Sequence, residues 1–362
     1  MLPEKRHLEL MNTRDFFAAM RKNLGFVKLQ VIDRWPYKFH EFAAARQRPA
    51  ATAFARALPP LATGHGPEMC GVHMMCSHNH ADMGLLASWS LLRFEPLLKL
   101  FVHSDGSLTE EDRAAWSHVI PNARFTDPAE RDALVESLLP PELRTLKRWR
   151  QQHLYSIKLV DTHLYGASNK VLCLDSDVLC FQSPTHLLSL MASAETVAAW
   201  NRDVATSYPI PPEAVSTITG ILPPRNFNAG FLLSGRFGAK DFRLLDEMIQ
   251  KCEKQGVNVL HMWFEQALYG VMAARHPQHG PLPEPYAIRR GRTREDTVLR
   301  HYVGVPKIRP RFFLEGLSIL RRQVMESVPA PAPTSKSFDA TETTIEKSRS
   351  KQRELHEVSA PV

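Results

Sequence analysis

The 362-residue sequence predicts an α/β fold built on a largely parallel sheet, and three observations carry that reading. From Cys70 onward, short apolar runs alternate with helix-patterned stretches, the order that lays strands in one layer with helices across it. Lys170–Phe181 is a run of Val, Leu, Cys and Phe that suits a strand buried on both faces, as in a parallel sheet. Asn226–Gly235 is a second bulky run, interrupted by the small pair Ala229 and Gly230.

Residues 1–67 read as a helical extension. Leu8–Leu24 mixes apolar and basic residues, Phe39–Leu58 is rich in Ala and Arg, and Pro59, Pro60 and the Gly64–Pro67 turn close it. Such a basic segment could touch a membrane surface, although a solvated helix face is the commoner meaning. Gly71–Cys76 is the first strand, Ser77–Asp82 a polar loop, and Met83–Phe94 a helix with Leu85, Leu86, Trp89 and Leu92 on one side. A strand over Leu98–His103 and a turn over Ser104–Ser107 lead to a helix beginning at Glu110. Asp127, Pro128 and Glu130 read as a capped start for a helix ending near Leu139.

Pro141–Leu164 reads as one long basic helical stretch with Leu154, Ile157, Leu159 and Leu164 in the core. A short helix over Leu187–Met191 and a strand over Val197–Trp200 follow. Asn201–Pro224, broken by prolines, is an irregular insertion of the kind that forms lids and acceptor-facing walls. Helices over Phe242–Glu253 and from His261, a last strand over Thr297–Val303 and a helix over Arg311–Glu326 complete a domain of residues 68–327. The remainder, 328–362, is rich in Pro, Ser, Thr, Lys and Glu and is expected to be disordered.

A net charge of +7 suits a phosphorylated ligand, nucleic acid or an anionic membrane, and does not choose among them. Zinc-finger spacing, RNA-binding aromatic signatures and basic zippers are missing from the sequence, so nucleic acid is not an expected partner. The five cysteines are an odd number without metal-ligand spacing, which points to free buried thiols in a reducing compartment. With no apolar run behind Met1 and none of about 18 residues later, the expectation is a soluble, cytoplasmic protein.

Asp175 and Asp177 stand inside the apolar run, and a buried carboxylate needs a partner. They either cap a turn or pair with an arginine, or they lie where a strand ends at a cleft and offer oxygens to a divalent cation that also holds phosphates. Asn228, beside the Ala229–Gly230 pair, has both a donor and an acceptor near a backbone that something can approach closely. His301, Gly304 and Lys307 recur at three-residue intervals; imidazole can complete a metal shell, glycine admits a phosphate and an ammonium neutralises it.

Taken together, Leu174–Val178, Phe227–Phe231 and His301-x-x-Gly304-x-x-Lys307 resemble, in order and spacing, the family 8 glycosyltransferases, the galactosyltransferase and glycogenin-like group with a GT-A fold, over residues 70–327. The resemblance implies a metal-dependent retaining hexosyltransferase that takes its sugar from a nucleoside diphosphate donor, UDP-linked, and passes it to a carbohydrate, glycolipid or protein acceptor. It implies that Asp175, Asp177 and His301 bind Mn2+ or Mg2+, that Gly304 and Lys307 hold the diphosphate, and that Lys158 contacts the donor. Asn228 would line the sugar pocket, with Glu265 and Gln266 beside the anomeric carbon, Glu standing where Asp is frequent in the family. The first loop, Cys76-Ser77-His78-Asn79, departs from the family's small or acidic residues there, which leaves the base open. Two other readings compete: a sugar-1-phosphate nucleotidyltransferase, disfavoured because no Gly-rich basic loop follows the first strand, and a non-catalytic nucleotide-sugar or partner-binding protein on the same fold.

Overall fold

The computed structural model describes residues 37–63 and 70–327. The helix expected over Leu8–Leu24, the Gly64–Pro67 turn and the tail 328–362 lie outside these described residues. The centre is a seven-stranded sheet in the order β3-β2-β1-β4-β7-β6-β8. Its strands are β1 (Gly71–Cys76), β2 (Lys99–Ser104), β3 (Ala123–Thr126), β4 (Lys170–Leu174), β6 (Ala198–Arg202), β7 (Phe227–Gly235) and β8 (His279–Pro281). Every neighbouring pair is parallel except the two made by β7, so β7 alone runs against the rest. β5 (Val178–Cys180) and β9 (Leu299–His301) form a separate antiparallel ribbon.

The Lys170–Phe181 run is thus two strands in two sheets, with Asp175 and Asp177 at the break. The last strand is correspondingly short and belongs to the ribbon rather than to the main sheet. β3 was not legible as a strand: it is an edge strand of four residues, only one of them buried.

Helices cover both sides. α1 (Lys38–Arg56), which contains Pro49, packs on α2 (Ala81–Leu92), where Thr52 Oγ1 donates to Asp82. α2 is buried all round, as an apolar helix between layers must be, and holds the ribbon through Ser90 Oγ, which accepts the Cys180 N–H at 2.9 Å. α3 (Glu110–Val119) opens with a capping box between Thr109 and Asp112. At α4 (Pro128–Leu138) the expected cap is absent: Asp127 pairs with Arg113 and Glu130 with Arg124.

The stretch before the carboxylates is not one helix. It divides into α5 (Arg144–Gln152), the single turn α6 (Ser156–Leu159) and a 3₁₀ turn, Asp161–His163. Leu154, expected in the core, falls at the bend and is 53% exposed. The 201–224 insertion contains α8 (Pro212–Thr219), with proline at its start and Gly220 in the left-handed region after its end. α7 (Thr185–Ala192), α9 (Ala239–Lys254) and α10 (Phe264–Ala274) occupy the expected places, and a π-helical turn at Phe312–Gly316 precedes α11 (Leu317–Ser327). The five cysteines are free and buried, and no described helix is long and apolar enough to cross a membrane.

The bend that presents Lys158 depends on Asp161. This fully buried carboxylate accepts from Arg150 Nε at 3.1 Å and lies 3.8 Å from Arg131 Nε. Burial pushes its pKa up to about 6, against the pull of the two arginines. Asp161→Ala leaves two buried guanidiniums short of a counter-charge and should cost about 3–5 kcal/mol in urea unfolding. A loss below about 1 kcal/mol would contradict this role.

Candidate active site

In a sheet of this kind the strand ends form the crevice where ligands bind, and Asp175 follows β4 directly. Its N–H donates to the Gly230 carbonyl on β7 at 2.7 Å. The Asp177 carbonyl accepts the Tyr302 N–H at 2.8 Å, and the ribbon pairs Val178 with His301. Two carboxylates from one strand break and an imidazole from a distant strand therefore meet through backbone pairing.

Each carboxylate has one oxygen turned outward to a cation. Asp175 Oδ1 is 2.9 Å from Lys158 Nζ, and Asp177 Oδ2 is 2.8 Å from Arg309 Nη2. The other oxygens converge on one ring nitrogen: His301 Nε2 lies 3.0 Å from Asp177 Oδ1 and 3.7 Å from Asp175 Oδ2. One potential ligand atom from each of the three residues lies within 4.8 Å of the others. Two carboxylate oxygens and an imidazole nitrogen suit a divalent cation, and the glycine on β7 beneath them gives His301 and Asp175 the room to come together. A Cβ on Gly230 would lie 2.2 Å from His301 Cε1 and 2.4 Å from Asp175 Oδ2.

The electrostatics are those of a buried charge cluster. Burial alone would raise the Asp177 pKa, but His301 and Arg309 reverse this and hold it well below the usual carboxylate range. Burial works against charge on His301 and Lys158 too; Asp177 and Asp175 raise the former, and Asp175 and Glu265 raise the latter.

The remaining expected residues divide. Glu265 and Gln266 sit in the first turn of α10, both buried. Burial pushes the Glu265 pKa up to about 7, with Lys158 opposing and Asp175 adding, and Oε1 has no hydrogen-bond partner. Gln266 Oε1 accepts the Ala229 N–H at 3.2 Å and its Nε2 donates to the Ser207 carbonyl at 2.8 Å. Asn228 Oδ1 accepts the Gly230 N–H and its Nδ2 donates to Asp203 Oδ2 at 2.8 Å. Gly304 is exposed and lies beside Arg309. Lys307 is not brought to the carboxylates: its ammonium lies over the Tyr37 ring, 5.4 Å from the centroid.

Arg309 and Asp203 are the groups that the sequence reading missed. Arg309 is two residues from Lys307, and which of the two turns inward is set by the path of the loop. Asp203, a carboxylate one residue beyond β6, carried a weaker signal. His80, in the loop after β1, also senses the cluster: burial and the Arg309 guanidinium lower its pKa. In the same loop His78 Nδ1 pairs with Asp112 Oδ2 at 2.7 Å.

Because the floor has no room for a side chain, Gly230→Ala should weaken Mn2+ binding, read by electron paramagnetic resonance, roughly 10–100-fold or more. Unchanged affinity would show that the glycine floor is not needed. Glu265 has a folded-state pKa near 7 against an ordinary 4.5, so its burial is free below pH 4.5, costs stability progressively as pH rises from 4.5 to 7, and costs no more above that. Glu265→Gln removes that loss, so its stability relative to wild type should gain on the order of 3 kcal/mol between low and high pH. Parallel stability curves for the two proteins would contradict the assignment.

Comparisons with known proteins bear on the same region. Residues 142–307 match the family model described as Glycosyl transferase family 8. Among solved structures, the galactosyltransferase LgtC, in complex with donor and acceptor sugar analogues, is 15% identical, with 72% of this chain and 98% of that one covered at a TM-score of 0.42. Mouse xyloside xylosyltransferase 1 is 15% identical, with 64% and 96% covered at 0.42. The glycosyltransferase GlyE of Streptococcus pneumoniae TIGR4 is 17% identical, with 74% and 66% covered at 0.40. A search of curated proteins finds no match. The segment that matches the glycosyl transferase family 8 model holds Lys158, Asp175, Asp177, Asn228, Glu265, Gln266 and His301, so the match and the candidate site coincide.

Proposed function

We propose that the chain transfers a hexosyl group, with retention of configuration, from a UDP-linked sugar to a hydroxyl-bearing acceptor, using a divalent cation such as Mn2+ or Mg2+. The observation that carries this reading is the convergence of Asp175 Oδ2, Asp177 Oδ1 and His301 Nε2 over a glycine floor, with cations outside it. These three residues would hold the ion, which when bound supplies positive charge to the diphosphate.

In the reaction the bond between the anomeric carbon and the diphosphate oxygen breaks, and the acceptor oxygen bonds to that carbon on the same face. The acceptor hydroxyl proton passes to the departing diphosphate oxygen. The protein's work is to stabilise charge developing on the leaving group, commonly the greatest single contribution an enzyme makes to its rate. Arg309 is placed for this from the Asp177 side, with Gly304 beside it, and Lys158 supplies charge from the Asp175 side. Lys307 could add to the diphosphate contacts only by leaving the Tyr37 ring.

Glu265 and Gln266 flank the place for the anomeric carbon. Gln266 is pinned by the β7 backbone and the Ser207 carbonyl, which suits a positioning dipole better than a nucleophile. Glu265, buried with one oxygen unpaired, could stabilise positive charge developing on the sugar ring. Asn228 and Asp203 would bind sugar hydroxyls, and the 201–224 insertion, tied to Gln266 through Ser207, forms an acceptor-facing wall.

Asp177→Ala should lower Mn2+-stimulated hydrolysis of UDP-sugars about 100-fold or more while leaving the circular dichroism of the fold intact. Hydrolysis at the wild-type rate in that variant would overturn the site.

A further inference from the structure

Large apolar side chains left exposed are ordinary when scattered and informative when gathered. Leu154, Leu260, Met262 and Trp263 are each 43–56% exposed, and they come from two segments that hydrogen bonds hold together. Trp149 Nε1 donates to the Val259 carbonyl at 2.8 Å, and His153 Nε2 donates to the His261 carbonyl at 3.1 Å. Leu154 therefore follows a residue anchored to the stretch that carries the other three. Neither 151–155 nor 257–263 contains Asp, Glu, Lys or Arg, in a chain that is 23% charged, so this surface offers an ionic partner nothing to pair with.

Both segments lead straight into the candidate site. Two residues after Leu154, α6 begins and presents Lys158 to Asp175. Trp263 is the residue before α10, and its carbonyl accepts the Ala267 N–H at 3.2 Å, so it belongs to the first turn with Glu265 and Gln266. Positions 263 and 266, three apart, share one face of that helix. Gln266 also donates to the Ser207 carbonyl, and the insertion there forms a shallow pocket of about 290 Å3 lined by Thr206, Tyr208, Pro209, Ile210, Pro211 and Pro212. The chain that precedes Gln266 and the chain bonded to it are thus both uncharged and largely apolar. Sugar hydroxyls need hydrogen-bond partners that such side chains do not supply, whereas hydrocarbon needs only apolar area to cover.

We propose, resting on the transferase reading, that the acceptor is an amphiphile of the alkyl or prenyl glycoside class. Its hydroxyl-bearing head enters at Gln266, and its hydrocarbon chain lies over Trp263, Met262, Leu260 and Leu154. The tail then contributes binding that a free sugar lacks.

Equilibrium dialysis of the full chain, in the presence of UDP and Mn2+, against octyl β-glucoside below its micellar concentration and against methyl β-glucoside measures what the tail adds. Wild type should bind the octyl compound at least about 30-fold more tightly, as partial burial of its added methylenes requires. Leu154→Asp and Met262→Asp should each weaken octyl binding roughly tenfold or more, because a carboxylate must then be desolvated. Leu138→Asp, at a side chain 53% exposed at the end of α4, should leave it unchanged. Equal affinity for the two glucosides, no saturable octyl binding, unchanged binding in both patch variants, or the same weakening in Leu138→Asp would each overturn the proposal. Leu154-dependent sedimentation with phosphatidylcholine vesicles that contain no glycoside would assign the surface to the bilayer itself and overturn it too. The tail is read in binding and the transferase reading in hydrolysis by Asp177→Ala, so the two fail separately.

Discussion

The buried, ionised carboxylate of Asp177 is the constraint on which the site depends. A carboxylate 4% exposed is stable only among opposite charges, and here they come from a strand and a loop more than 120 residues further along the chain. The pairing of β5 with β9 and of β4 with β7 therefore has to form before the charge is tolerable. Gly230 is the steric counterpart of that electrostatic requirement, because only a residue without a side chain leaves His301 and Asp175 their positions. Chemistry and folding are thus coupled at one point, where β4 gives way to the ribbon.

The outward cations explain why the inner oxygens face one another. Lys158 and Arg309 each take one oxygen of a different aspartate, so the two left over point at His301. Behind Lys158, Asp161 ties the turn after α6 to Arg150 of α5 and Arg131 of α4, across the bend at Leu154. The site is consequently held from two sides by separate charge networks, and charge remains available to a ligand that brings phosphates.

Much of this was legible in the sequence because burial leaves a compositional trace. The runs Gly71–Cys76, Lys170–Phe181 and Asn226–Gly235 are apolar because they are buried, and Asp175, Asp177 and His301 stood out against that background. Where the pattern depends on long-range partners it failed. An apolar run does not show the point at which it leaves one sheet for another, so 170–181 read as one strand and the ribbon was missed. A basic helical pattern does not show a bend stabilised by Asp161, so Leu154 was placed in the core although it is exposed. The choice between Lys307 and Arg309 turns on which way a loop residue faces, and spacing alone does not carry that information.

If the three residues over Gly230 bind a divalent ion that the donor requires, UDP affinity must depend on that ion and on His301. Calorimetric titration of UDP into the chain, once with Mn2+ and once with chelator, for wild type and His301→Ala, measures both dependences. Mn2+ should enhance UDP affinity in wild type, and the variant should lose that enhancement. Equal UDP affinity with and without Mn2+ in wild type would contradict the metal site.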